Sequence, residues 1–304
     1  MWFLYALAAT VAWGAADLFY KRGADPKERY THLKTAIVVG FVMGLHAIGT
    51  LIVTKVDYNL INLLYYLPVS LMYILSMVVG YLGLRYLELS IASPVQNASG
   101  ALCCILCLLI LGQTMDALSA IAVALVCVGV FLLGMFERMD VKVDGGGIKG
   151  FKAFLIPIAY CVIDALGTFL DAFYLDDAAA SPLVGVTEDN IETVANVSYE
   201  LTFLIAAVLL SIFVYVIKRE RVVTVFKRDR IIAACLETGG QFAYVYAMSG
   251  MAVIAAPMVS SYSIVSVLLS AVFLKERLSK KQYIAVAVVL IGIALLGVAE
   301  ALAP

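Results

Sequence analysis

Charge is scarce in this chain. Aspartate, glutamate, lysine and arginine make up 14% of its 304 residues, where a soluble domain carries about a quarter. With 63% hydrophobic residues and a mean hydropathy of +1.00, water alone is not the solvent of this fold. Neither sign of charge is in excess, 21 basic against 22 acidic residues, which removes the electrostatic ground for nucleic-acid binding. Histidine occurs only as His32 and His46, and the chain has no His-Glu-x-x-His, no serine with a histidine nearby and no Gly-x-Gly-Asp segment. The chain therefore reads as no enzyme. The six cysteines all lie in apolar runs, where they behave as small hydrophobes and imply no disulfide framework. Cys103-Cys104-x-x-Cys107 has metal-like spacing but no second ligand pair, so no metal or other cofactor is expected.

What the sequence has is long apolar runs. A bilayer core of about 30 Å needs about 20 such residues in helical form, because only a helix or closed barrel satisfies its own backbone there. Ten runs meet that length: approximately 2–20, 33–54, 61–84, 91–111, 117–136, 152–174, 195–217, 230–248, 251–274 and 281–300. The expected class is an all-α integral membrane protein of ten transmembrane helices. The first run has no basic residue before it and Lys21 and Arg22 after it, so it reads as a retained helix. Every lysine and arginine except Lys55 falls at the connections 1-2, 3-4, 5-6, 7-8 and 9-10. Those loops are placed in the cytoplasm, with both termini outside a plasma membrane. The outer connection 174–194 carries five acids and no base and reads as a solvated loop.

Sliding the chain on itself by 163 residues aligns Ile121 to Gly134 with Ile284 to Gly297, nine of fourteen positions being identical. The same offset pairs Tyr81 with Tyr244, Pro94 with Pro257 and Leu111 with Leu274. It divides the chain into a five-helix repeat over 1–136, a cytoplasmic linker over 137–151 containing Gly145 to Gly147, and a second repeat over 152–304. Five is odd, so the second copy must cross the membrane in the opposite sense. Two inverted halves give two arrangements of similar energy, each open to one side, with a site between them near the midplane.

An ionisable group at the bilayer centre costs roughly 2.5 to 3.5 kcal/mol or more, so one found there has a partner or a function. Five acids lie within the runs: Asp17, Asp164, Asp171, Glu200 and Glu237. At about 1.5 Å per residue, Asp164 lies roughly 18 Å beyond Lys152 and Glu237 roughly 10 Å beyond Arg230, which makes them the deepest. Asp17, Asp171 and Glu200 are nearer the ends, where interfacial solvation is an equal explanation. Helical spacing aligns Tyr160, Asp164, Thr168 and Asp171 on one stripe, Glu237, Gln241 and Tyr244 on a second, and Thr10, Trp13, Asp17 and Tyr20 on a third. Asn97 and Ser260 correspond at the repeat offset, each three residues after its proline. The predicted substrate-binding set is Trp13, Asp17, Tyr20, Asn97, Tyr160, Asp164, Glu237, Gln241, Tyr244, Ser260 and Tyr262. Carboxylates and aromatic faces without an internal base favour a cation. Asp164 and Glu237 would share proton and cation, which supplies proton coupling. His46 reads as a hydrogen-bonded packing residue, and Gly40-x-x-x-Gly44 as a close helix contact within the fold.

The Ala8 to Gly23 segment with Trp13-Gly14, and above all Val272-Phe-Leu-Lys-Glu-Arg-Leu-Ser-Lys-Lys-Gln282 running into the Gly292 helix, resemble the drug/metabolite transporter superfamily, EamA type. The resemblance covers the whole chain. It implies a ten-helix secondary transporter with a central cavity lined mainly by helices 1, 3, 4, 6, 8 and 9. Gln113 stands where the second half has Glu276; that position caps a helix at the interface, so the swap is read as structural. The expected function is secondary active transport of a small polar metabolite or organic cation by alternating access. The expected partners are that small molecule, membrane lipid and H+. A cation channel and a flippase for lipids or lipid-linked headgroups are the competing readings. Ten helices suffice to enclose a cavity in one chain, so the sequence demands no particular oligomer.

Overall fold

A computed structural model of the chain describes residues 1–25, 27–87, 89–135, 151–221, 225–249 and 251–302. These form α1 (Trp2–Gly23), α2 (Thr31–Thr54), a short α3 (Asn62–Tyr65), α4 (Leu67–Gly83), α5 (Leu89–Gln96), α6 (Ser99–Leu106), α7 (Ala117–Met135), α8 (Phe151–Leu175), α9 (Ile191–Ser211), α10 (Arg228–Met248), α11 (Ala252–Ser260), α12 (Tyr262–Leu269) and α13 (Lys280–Leu302). There is no strand among the described residues. The linker expected over 137–151 lies outside them except for its last position, where α8 begins.

Among the described residues, seven helical segments are long and apolar enough to cross a membrane: Trp2–Gly23, Thr31–Thr54, Ala92–Leu111, Leu155–Leu175, Ile191–Ile217, Ala252–Leu274 and Lys280–Leu302. Leu67–Gly83 and Ala117–Leu133 are apolar but shorter. The remaining expected run corresponds to α10, whose length suffices but whose hydropathy does not. It begins Arg228-Asp229-Arg230 and carries Glu237, Thr238 and Gln241, all three buried. A helix enclosed by others need not be apolar all round.

Two of the expected runs are broken in the middle. Pro94 lies within α5 and Pro257 within α11, where each removes a backbone donor. The chain resumes as α6 after Asn97-Ala98 and as α12 after Ser261. Both broken helices end in wide π-type turns, Cys107–Leu111 and Ser270–Leu274, followed by a left-handed residue, Gly112 (φ 65°) and Lys275 (φ 58°). The next residue then reaches across the molecule. Gln113 Oε1 accepts from the Val253 amide (2.9 Å) at the start of α11, and Glu276 Oε1 accepts from the Leu89 amide (3.1 Å) at the start of α5. Each side chain satisfies an amide that its helix leaves unpaired. Glutamine accepts that bond as well as glutamate does, which explains why the first half tolerates Gln113. The same local geometry thus occurs at positions 163 residues apart.

Packing joins the two halves of the chain throughout. α1 lies on α10, α2 on α9, α4 on α8, α6 on α11 and α7 on α13. In the last pair Gly129 faces Val289 and Gly292 faces Val126, so each glycine receives the valine of the other helix. Gly40 and Gly44 do the same for α2 against α9, where a Cβ at Gly40 would meet the Phe203 carbonyl and one at Gly44 the Leu204 side chain at 2.7 Å. The Gly-x-x-x-Gly element therefore packs within the fold. Gly40→Leu is expected to lower stability by about 1–3 kcal/mol through overpacking. Thermal unfolding of the purified protein in detergent reads this directly, and an unchanged midpoint contradicts the close contact.

One expectation about charge is overturned. Lys34 and Arg230 were placed in connections, yet both are buried, at 1% and 0% exposure. Glu28 draws them in: its carboxylate accepts from Lys34 (3.1 Å), Lys227 (2.8 Å) and Arg230 (2.6 Å), and Glu220 takes a second bond from Lys34 (3.4 Å). The Arg230 guanidinium also donates to the Gly23 carbonyl (3.1 Å) and Thr31 Oγ1 (2.7 Å), closing the end of α1 onto the start of α10.

Candidate functional site

Three acids converge between the packed helices: Asp17 from α1, Asp164 from α8 and Glu237 from α10. Their surroundings differ. Asp17 Oδ2 accepts from Ser93 of α5 (2.8 Å) and Ser266 of α12 (2.7 Å), so it ties one helix of each half to α1. Asp164 accepts from Ser99 of α6 (2.7 Å) and Ser76 of α4 (3.3 Å). Glu237 accepts one side-chain bond among the described residues, from the Tyr20 hydroxyl at 3.2 Å. Asn97 reaches this network indirectly, its amide donating to Ser93 Oγ at 3.1 Å.

Aromatic rings form the walls. Trp13 approaches α10 closely enough to donate its indole N–H to the Glu237 carbonyl (3.2 Å), because Gly240 leaves the space that a Cβ would take from the ring. The Trp13 ring lies 5.0 Å from Tyr244 and 5.8 Å, edge-on, from Tyr262. Across the site Tyr160 of α8 lies over Gly80 of α4, and Tyr20 packs on Tyr81 at 4.6 Å. Tyr244 and Tyr73 share a hydroxyl hydrogen bond (2.7 Å), and Tyr73 donates in turn to Thr168 (3.2 Å). With its open mouth included, the space between these side chains is about 750 Å³.

All eleven residues singled out in the sequence border this one cavity. Gln241 is buried at 1% exposure with both ends of its amide unpartnered, and Gln96 Nε2, which borders the same cavity, is likewise unpaired. Buried amides left open in this way are rare, and here they face space that a ligand or water can enter. Among the described residues no lysine or arginine borders the cavity.

Tyr73, Met77, Tyr81 and Tyr199 also border the cavity and were not singled out. The first three recur at spacings of four and four on α4, a helical stripe that was readable, and Tyr81 was already paired with Tyr244 by the repeat. Tyr199 had no such signal. Interfacial solvation does not account for the three acids nearer the helix ends: Asp17 is 9% exposed, and Asp171 and Glu200 are fully enclosed. Asp171 accepts from the Tyr66 hydroxyl, and Glu200 pairs with His46 Nδ1 at 2.8 Å. His46 is thus hydrogen-bonded between α2 and α9, away from the cavity. Neither Asp171 nor Glu200 borders the cavity.

A solved structure described only as the crystal structure of a protein superposes with a TM-score of 0.65 over 99% of this chain and 98% of its own, at 16% identity. At that identity the likeness concerns the fold alone. No curated protein matches the sequence. The EamA-like transporter family matches residues 1–135 and again 190–298, so that most of the chain is covered in two blocks, with α8 between them. This chain belongs to the EamA-like transporter family, membrane transporters of the drug/metabolite transporter superfamily.

Proposed function

We propose that the protein is a secondary active transporter that carries a small polar metabolite or organic cation across the plasma membrane by alternating access. The observation that carries this reading is the cavity lined by Asp17, Asp164 and Glu237 with no basic residue among the described residues. Three carboxylates in one low-dielectric space repel one another, and a cation or protons relieve that repulsion. The aromatic faces of Trp13, Tyr160, Tyr244 and Tyr262 add attraction for an ammonium group, about 0.5–2 kcal/mol each. Asp164 and Glu237 exchange proton for cation, which couples the substrate to the proton gradient. The eleven cavity residues form the binding set.

The reading includes ten spans in two inverted five-helix repeats, 1–136 and 152–304, joined by a cytoplasmic linker over 137–151, with both termini outside. Reciprocal contacts support it: Gly129 and Gly292 each take the partner helix's valine, and Gln113 and Glu276 each cap a helix of the opposite half. Alternating access must break the bond between Tyr73 of α4 and Tyr244 of α10 (2.7 Å), which joins the two halves within the cavity.

Counterflow in proteoliposomes tests the reading. Labelled tetramethylammonium is expected to accumulate transiently in vesicles preloaded with the unlabelled ion, to saturate, and to respond to an imposed pH gradient. Single-channel currents would instead make the protein a cation channel. A response confined to anions would overturn the charge argument.

A further inference from the structure

Gln241 departs from the way this protein satisfies its buried polar groups. It stands on α10 one turn beyond Glu237, enclosed, with neither Oε1 nor Nε2 hydrogen-bonded. It borders the acidic cavity, and among the described residues lining that cavity no other amide is open at both ends. The carboxylates around it are engaged: Asp17 and Asp164 each hold two serine hydroxyls, and Glu237 takes the Tyr20 hydroxyl. An enclosed amide without partners forfeits its hydration at both ends. Methionine has the same reach and would fill the position without that cost. Packing therefore does not explain a glutamine here, whereas a hydrogen-bonding group on the transported molecule does.

We infer that Gln241 reads a primary carboxamide on the transported molecule. The inference rests on the transport reading and adds to it a substrate group that is independent of charge. Complementarity narrows the class. A carboxamide pairs head to tail with Gln241, its N–H donating to Oε1 while its carbonyl accepts from Nε2, so that one planar group satisfies both ends. A carboxylate accepts from Nε2 but sets a second acceptor against Oε1, and an ammonium or guanidinium donates to Oε1 and leaves Nε2 open. Residues four apart on a helix face lie about 5–6 Å from each other, so the carboxamide and a group held by Glu237 are separated by about the width of one aromatic ring. Tyr244, three residues further along the same face, and Trp13, 5.0 Å from it, offer flat surfaces to such a ring.

The test crosses carboxamide with charge. Nicotinamide and its methyl ketone analogue differ only in the exchange of the amide nitrogen for a methyl group, and methylation of the ring nitrogen gives each a positive charge. Isothermal titration of the four compounds against the purified protein in detergent at neutral pH reads the two contributions separately. In both charge states the amide should bind about tenfold to a hundredfold more tightly than the ketone, which leaves Oε1 without a donor. In Gln241→Met the amide and the ketone should bind within about threefold of each other. Should Gln241→Met fail to fold, Gln241→Asn withdraws the amide by one carbon and should cut the preference at least threefold. Equal affinity for amide and ketone in wild type, or an undiminished preference in the variants, overturns the carboxamide site while leaving cation transport standing. An amide preference without any gain from ring methylation overturns the charge argument and leaves the carboxamide site standing. Binding of none of the four overturns the carboxamide site as well.

Discussion

Glu237→Gln and Asp164→Asn are each expected to weaken binding of a monovalent organic cation by about tenfold to a hundredfold, and to reduce the pH dependence of its transport. A charge-assisted contact in a desolvated site contributes about 1.5–3 kcal/mol, and each 1.4 kcal/mol is a factor of ten. Both substitutions keep shape and volume, so the loss is electrostatic. Glu237 should show the larger effect, since the Tyr20 hydroxyl is its one side-chain donor among the described residues, and less of its charge is already engaged within the protein. Protons and organic cations compete for the same carboxylates, so wild-type affinity should fall on acidification while the two variants respond less. Asp17→Asn serves as a contrast. Its two serine donors tie α1 to α5 and α12, and an amide oxygen holds them less firmly than a carboxylate. This variant should therefore lose thermal stability as well as affinity. Isothermal titration with tetramethylammonium at two pH values, beside thermal unfolding, separates these effects. Full transport with unaltered pH dependence in Asp164→Asn and Glu237→Gln would remove the proposed proton and cation roles.

The acidic cavity was legible because it breaks the strongest rule in the sequence. In a chain this apolar, a carboxylate deep within a run is conspicuous, and helical spacing alone placed Trp13, Tyr160, Gln241 and Tyr244 beside the three acids. The stripe of α4 escaped notice because tyrosine and methionine are unremarkable in an apolar run; only the partners across the gap give Tyr73 and Tyr81 their meaning. The helix α10 was expected from length and repeat, although it is not among the segments apolar enough to cross a membrane. The cap at Gln113 was readable from its counterpart Glu276, since the repeat predicts geometry where composition does not. Lys34 and Arg230 mark the opposite limit. A base at the end of an apolar run looks like a loop residue, and nothing local in sequence announces that Glu28 in the first connection will hold Arg230, two hundred residues away, at 2.6 Å.

That contact makes Glu28→Gln the substitution with the largest expected cost in stability, about 3 kcal/mol near neutral pH. Removing one member of a buried ion pair leaves the other charge unpaired, which typically costs about 3–5 kcal/mol. The low end applies because Arg230 keeps the Gly23 carbonyl and Thr31, and Lys34 keeps Glu220. Burial alone would raise the Glu28 pKa, but hydrogen bonds from Arg230, Lys227 and Lys34 and the Arg230 charge outweigh it and hold the group at about 2, against 4.5 unperturbed. A lowered folded-state pKa contributes stability that is complete above the unfolded value and disappears as pH falls through the folded one. The gap between wild type and Glu28→Gln should accordingly be full above about pH 4.5 and shrink as the pH approaches 2. Unfolding in detergent across that interval measures it, and a gap independent of pH would show that the carboxylate's ionisation is not what holds the cluster. The consequence reaches the cavity, because Glu28 and Arg230 bind the end of α1 to the start of α10, the helices that carry Trp13, Asp17 and Tyr20 on one side and Glu237, Gln241 and Tyr244 on the other. The clasp holds the two helices together beside the Trp13 to Glu237 contact. Loosening it should therefore lower cation affinity together with stability, although Glu28 itself lies outside the cavity.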